Sequence, residues 1–218
     1  MKNYLIAATL IFGSFTATSQ LVAEDSKSLY LSIGGGINFP SNIEGDAENS
    51  DFTFETDDPF TYSVAIGKDF DDWRLEFNYS GTTIGSDSLT VSSGGLGIVA
   101  PITPDLEFKA KSYMIYGYKD ISTETKFTPY FGAGLGVSNL SYDDLTVTIA
   151  GVNSTLDADS ETVFSYGLKG GLGYEIADNA SLYTEASYIN YASFTDGSEV
   201  NYDSNNSFGI TAGLRFNF

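Results

Sequence analysis

From Ser207 to Phe218 the chain alternates without a break. Phe208, Ile210, Ala212, Leu214, Phe216 and Phe218 fall on one parity. Ser207, Gly209, Thr211, Gly213, Arg215 and Asn217 fall on the other. Successive side chains of a strand point to opposite faces, so this segment is a ribbon with one wholly apolar face. Such a face has to lie against other apolar groups, and both backbone edges need partners.

Seven further segments alternate in the same way. Leu29 to Phe39 sets Leu29, Leu31, Ile33, Ile37 and Phe39 against Tyr30, Ser32, Gly34, Gly36 and Asn38. Phe60 to Phe70 sets Phe60, Tyr62, Val64 and Ile66 against Thr61, Ser63, Ala65 and Gly67. The third opens at Trp73, with Leu75, Phe77 and Tyr79 against Arg74, Glu76, Asn78 and Ser80. The fourth runs from Phe108, with Ala110, Met114, Tyr116 and Tyr118 against Lys109, Lys111, Tyr113, Gly117 and Lys119. Pro129 to Asn139 sets Phe131, Ala133, Leu135 and Val137 against Tyr130, Gly132, Gly134, Gly136 and Ser138. The sixth has Phe164, Tyr166, Leu168, Leu172, Tyr174 and Ile176 against Ser165, Gly167, Lys169, Gly171, Gly173 and Glu175. The seventh has Leu182, Thr184, Ala186 and Tyr188 against Tyr183, Glu185 and Ser187. Segments of about 9–12 residues have the length that a tilted strand needs to cross a bilayer.

The connections alternate too. Short ones fall at Asp69–Asp72, Asp120–Phe127 and Ala177–Ala180, and long ones at Ser41–Asp58, Gly81–Glu107, Leu140–Thr162 and Ala192–Asn206. Beyond the amino-terminal segment, no stretch approaches the roughly 20 apolar residues of a membrane helix, and a spanning chain without one is a closed barrel. The expected fold is therefore all-β, an eight-stranded antiparallel up-and-down transmembrane β-barrel over residues 20–218. Its place is the outer membrane of a Gram-negative cell, with short turns and both mature termini periplasmic and the long loops outside. A ten-stranded barrel is the alternative, with Leu89–Ala100 or Leu145–Ala150 as strands. The preferred reading makes these segments hairpin extensions above the membrane.

Residues 1–19 read as a secretory signal peptide, with Lys2, an apolar run from Tyr4 to Phe15, and small residues at Ala17 and Ser19. Cleavage is expected before Gln20, with cleavage after Ala23 as the alternative.

The formal charge of −19 argues against nucleic-acid binding, which needs a basic footprint. Arg74, Lys109, Lys111, Lys119, Lys169 and Arg215 lie on the polar parity of their segments, as do Glu76, Glu175 and Glu185. Of these, Arg74, Glu76, Lys109, Lys111, Lys169, Glu175, Glu185 and Arg215 are the expected lumen ion-pair set. Arg215 is expected to meet Glu76, Glu175 or Glu185. Eight strands leave an interior that side chains just fill, so the set reads as a structural plug. The alternative is a small porin-like channel with a charged lumen. Lys68 stands out as a base on an apolar parity.

The four long connections carry 18 acids and no Lys or Arg. Asp157, Asp159 and Glu161 are spaced as Ca²⁺ ligands can be, without the glycine turn or the full pattern of a calcium loop. No metal or cofactor is assigned; a hydrated anionic rim accounts for the same residues. The chain has no Cys, which excludes disulfides and a lipidated amino-terminal Cys, and no His, the usual general base at neutral pH.

Tyr113-Met-Ile-Tyr-Gly-Tyr-Lys-Asp120, followed by Thr128-Pro-Tyr-Phe-Gly-Ala-Gly-Leu-Gly136, resembles paired strands of the opacity-type outer-membrane β-barrel family. That family is similar in architecture to the OmpA transmembrane domain and to the attachment-invasion barrels. The resemblance covers Ser28 to Phe218. It implies a surface-exposed barrel whose loops meet host cells, phage or other ligands, with no catalytic residues to transfer. Small barrels that are enzymes use an active-site histidine, so no enzyme is expected here. No peptidoglycan-binding domain is expected after the final strand. The expected partners are outer-membrane lipid and lipopolysaccharide, the barrel-assembly machinery through Leu214, Phe216 and Phe218, and a surface ligand at the acidic loops. A monomer is expected.

Overall fold

A computed structural model describes residues 29–218 apart from 48–49, 58, 94–95, 143–144, 150–151, 157–158 and 196–200. The signal-peptide expectation for residues 1–19 lies outside the described residues. Eight long strands close the barrel: β1 (Leu29–Pro40), β2 (Phe60–Phe70), β3 (Trp73–Ser93), β4 (Leu96–Asp120), β5 (Phe127–Tyr142), β6 (Asp159–Ala177), β7 (Ala180–Tyr191) and β8 (Asn205–Asn217). Each pairs antiparallel with its neighbours in sequence, and β8 pairs back onto β1 from Tyr30↔Asn217 to Pro40↔Ser207. No edge of the spanning wall is left open, as a hydrocarbon environment demands.

Following the pairs sideways from Tyr30 leads through Gly67, Glu76, Tyr116, Gly134, Gly167, Ile189 and Ser207 to Pro40. The path returns ten residues up its own strand, the stagger of a barrel with steeply tilted strands. The ten-stranded alternative is not what forms. Leu89 to Ala100 extends the β3–β4 hairpin beyond the barrel, with Leu89 opposite Ala100. Leu145–Ile149 and Val152–Leu156 pair as a separate two-stranded sheet.

Short and long connections sit at opposite ends. Asp71 and Asp72 turn β2 into β3, with Asp71 at φ 65° in the left-handed region that primed hairpin turns require. The first and last described residues lie at this short-turn end, where Phe218 N–H donates to Leu29 O at 2.8 Å. At the other end the first long connection folds into Ile43–Ala47 and Ser50–Phe54. The second of these pairs with the β3 extension, and the first with Asn201–Tyr202 of the last connection. These pieces have no run of alternating residues long enough to be read as strands; they form by adding to edges already present.

The outer face is apolar and exposed: Ile33, Ile66, Phe77, Leu135, Leu168 and Ile210 all lie there. In water such a continuous surface would drive association, whereas lipid is its matching solvent. Aromatic rings bracket it at two levels. Tyr62, Tyr79 and Tyr113 form a row toward the long-connection end, and Phe127 meets Tyr174 near the short-turn end. Lys68 does point outward, near that lower edge, with its ammonium 5.3 Å from the Phe70 ring centroid.

One strand reverses the expectation. In β4 the parity of Met114, Tyr116 and Tyr118 faces inward and is buried, while Lys111, Tyr113 and Ile115 face outward. Lys109, Lys111 and Lys119 are therefore not lumen residues. The cause lies on the neighbouring strand: a Cβ at Gly132, Gly134 or Gly136 would collide with Tyr118, Tyr116 or Met114, respectively. Those glycines leave niches that the large β4 side chains fill. Lys119 sits near the strand end, and Lys109 and Lys111 sit beyond the Tyr79–Tyr113 contact toward the long-connection end, where charge reaches the membrane interface at little cost. Lys119 bonds Asp72 at 2.7 Å and lies over Trp73. Hydrogen bonds from Lys119 and Ser122 hold the Asp72 carboxyl below the usual carboxylate range.

Candidate functional site: a plugged lumen beneath an apolar mouth

The inward faces of β1, β3, β4, β5, β6, β7 and β8 bring charge together near the short-turn end. Arg74 donates from Nε and Nη2 to Asp120 Oδ2 and Oδ1 at 2.7 and 2.9 Å. This bidentate pair is the strong form of a buried ion pair. The Arg74 guanidinium also lies 4.6 Å from the Tyr118 ring centroid and 4.8 Å from that of Tyr130. Glu76 accepts from Tyr30 at 3.0 Å, Tyr118 at 3.1 Å and Asn78 at 3.3 Å. Lys169 Nζ meets Glu185 Oε1 at 2.9 Å, and Tyr130 donates to the other oxygen of Glu185 at 3.2 Å. Glu76, Asp120 and Glu185 thus face Arg74, Lys169 and Arg215 in this layer, and half-buried Asp69, opposite Arg74 in the β2–β3 register, adds a fourth acid. Burial of Tyr30, Arg74, Glu76 and Tyr118 leaves each at most 4% exposed.

Arg74, Glu76, Lys169 and Glu185 of the expected set thus converge. Arg215 points inward, but it stacks on Tyr30, Tyr130 and Tyr183, at 5.0–5.7 Å from their centroids, in place of a carboxylate. Cation–π contact substitutes for the expected ion pair. Glu175 is exposed at the end of β6, where a register shift between Glu175 and Ala177 interrupts the pairing. Asp120 and the tyrosines carry much of the network and escape a reading by charge alone. Asp120 ends its strand and looks like a turn residue. The inward parity of Tyr118, once the glycines of β5 are paired against it, is the signal that places both.

Above the plug the lumen changes character. Ser112, Ser138 and Ser165 link across three strands by two hydrogen bonds of 2.8 Å, all fully buried. Beside them a chamber is lined by hydroxyls and amides that include Asn38, Thr61, Asn78, Thr82 and Thr211. Higher still, Ala110, Val163 and Tyr191 form an apolar layer with Leu140, Ile189 and Phe194 packed against it. Phe54 and Tyr142 make a second apolar cluster with Ile43, Phe52, Leu89 and Phe108. The mouth itself is a cavity with mostly apolar walls, open on its outer side.

Asp157 and the Asp159 side chain lie outside the described residues. Glu161 borders the mouth cavity. Among the described residues no three His, Cys, Asp or Glu side chains gather as metal ligands. Leu214 and Phe216 lie on the lipid-facing parity of β8, and Phe218 follows the strand end.

The family model described as "Outer membrane protein beta-barrel domain" matches residues 7–216. The chain belongs to this family. Outer membrane protein PagN of Salmonella typhimurium is 34% identical over 142 residues, covering 60% of this chain and 57% of PagN. An uncharacterised Brucella suis protein, BRA0921/BS1330_II0913, is 27% identical over 171 residues, covering 68% of this chain and 59% of its own length. The match thus spans less than two thirds of either relative. Among solved structures, neisserial surface protein A superposes with a TM-score of 0.56 at 19% identity, covering 89% of this chain and all of that one. The Escherichia coli outer membrane protease OmpT gives 0.59 at 11% identity, over 92% of this chain and 100% of OmpT. At such identities both show the fold alone. The protein is an outer-membrane β-barrel related to PagN.

Proposed function

We propose that this barrel is a non-enzymatic surface protein whose acidic long connections make contact outside the cell. The observation that carries this reading is the asymmetry of the two ends. All four long connections leave the same end, three with strands that extend the barrel sheet and one with a hairpin of its own, and they carry 18 acids with no Lys or Arg. The opposite end has short turns, both described chain ends and the ion-paired plug. The short-turn end is periplasmic, and the barrel works as a monomer in lipid and lipopolysaccharide. Leu214, Phe216 and Phe218 present the closing strand to the assembly machinery. The absence of His removes the usual general base, which supports a contact role over catalysis.

Replacing the four long connections by short Gly-Ser turns tests the contact reading. Cells displaying the wild-type protein are expected to adhere to cultured animal cells and to polylysine-coated beads. Cells displaying the turn variant at equal surface level are expected to lose that adhesion, since barrels tolerate change at exposed loop tips. Equal adhesion by both would overturn the reading.

A further inference from the structure

The mouth cavity is apolar in a place that faces water. Its walls come from Ile84 on β3, Ala110 on β4, Leu140 on β5 and Tyr191 on β7. Ile43 of the first long connection and Phe194 and Tyr202 of the last close over it. The lid is ordered by ring contacts: Phe194 stacks on Tyr202 at 4.8 Å and 11°, and Phe52 meets Tyr202 edge-on at 5.5 Å. On the far side Phe54 packs on Phe108 at 5.3 Å. These contacts hold open a concave apolar surface, which is the usual form of a small-molecule site. Water in such a place finds few hydrogen-bond partners, so an apolar group gains by displacing it.

The rim selects a charge. Glu161 and Asp203 border the cavity. Asp46 and Glu44 stand on the adjoining strand of the first connection, with Asp203 N–H donating to Glu44 O at 2.9 Å. Lys109, on the outward parity of β4, is the one base among the described residues that borders the cavity, and its ammonium lies 3.9 Å from Glu107. The field at the mouth is therefore anionic, which attracts cations and repels anions.

We propose that the mouth cavity binds the alkyl chain of a single-chain amphiphile with a cationic head. The chain enters between Ile84 and Leu140, beneath the Phe194–Tyr202 lid. The head group stays at the rim, beside Glu161 and Asp203. This is a binding site separate from the plug, and it does not require adhesion by the loops.

The test uses the full barrel in lipid nanodiscs with ¹³C-labelled isoleucine methyl groups. Octyltrimethylammonium is expected to shift the Ile43 and Ile84 signals saturably, while lipid-facing Ile33 reports partition into the bilayer. Octyl sulfate is expected to bind about tenfold more weakly. Ala110→Phe and Leu140→Trp each fill the cavity and are expected to abolish the saturable shift. Two variants are used so that a folding failure in one still leaves a result. Glu161→Gln with Asp203→Asn is expected to narrow the difference between the two head groups. Shifts at Ile43 and Ile84 that follow Ile33, retention of the saturable shift in a folded cavity-filled variant, or equal binding of the sulfate would overturn the proposal.

Discussion

Asp120→Ala is expected to destabilise the folded barrel by about 3–5 kcal/mol in urea titrations carried out in lipid vesicles. Arg74 is 2% exposed, and Asp120 is its bidentate partner. Truncation would leave a buried guanidinium without its bidentate partner, with the rings of Tyr118, Tyr130 and Tyr30 and the half-buried carboxylate of Asp69 around it. Cation–π contacts of about 0.5–2 kcal/mol each soften that loss without replacing the ion pair. Arg74 Nη1 already lacks a hydrogen-bond partner, so the site has little slack. Removing both partners together, by Arg74→Met with Asp120→Ala, is expected to cost less than the single change, because no unpaired charge remains. Breaking the exposed Lys119–Asp72 pair by Lys119→Met is expected to change stability far less, since solvent screens it. A loss from Asp120→Ala as small as that from Lys119→Met would mean that the plug does not hold the barrel together.

Leu214→Arg is expected to cost about 2–4 kcal/mol and to lower the folded yield in lipid. Leu214 pairs with Ile33 on β1 and with Leu182 on β7, and its parity faces the bilayer. A charged group there meets hydrocarbon on every side. Thr211→Ser, on the inward parity of the same strand, removes one methyl group and is expected to leave the yield unchanged. The lysines of β4 show why depth matters. Lys109 and Lys111 also face outward, but they lie beyond the tyrosine row, where an outward charge costs about 0–1 kcal/mol. Equal folding yields for Leu214→Arg and Thr211→Ser would contradict the facing assigned to β8.

Seven of the eight strands can be read with their facing correct because lipid imposes one rule along their outer side. The exception, β4, follows a different constraint. Its inward residues are chosen by space, and that space is made by Gly132, Gly134 and Gly136 on another strand. Hydrophobicity alone puts Met114, Tyr116 and Tyr118 outside and the lysines inside. Ser112 on the one parity and Ile115 on the other carry the contrary signal, and they become readable only once β4 is paired with β5.

The lumen site was partly legible for the same reason. Arg74, Glu76, Lys169 and Glu185 announce themselves as charges among apolar neighbours. Arg215 does as well, but its partners do not, since stacking on Tyr30, Tyr130 and Tyr183 leaves no trace in charge spacing. The apolar mouth was not legible at all. Ile84, Leu140 and the Tyr191–Phe194 stretch come from three separate parts of the chain and meet only through closure of the barrel and pairing of the long connections.

Contact and binding belong to the mouth, above a lumen that the charged layer closes. Planar-bilayer recording of the purified, refolded wild-type barrel tests that claim most directly. The predicted result is a quiet membrane at protein levels that give full folding, with no unitary steps in either polarity. Discrete, reproducible unitary conductance would contradict it and would make the charged layer around Arg74 and Glu185 the lining of a channel.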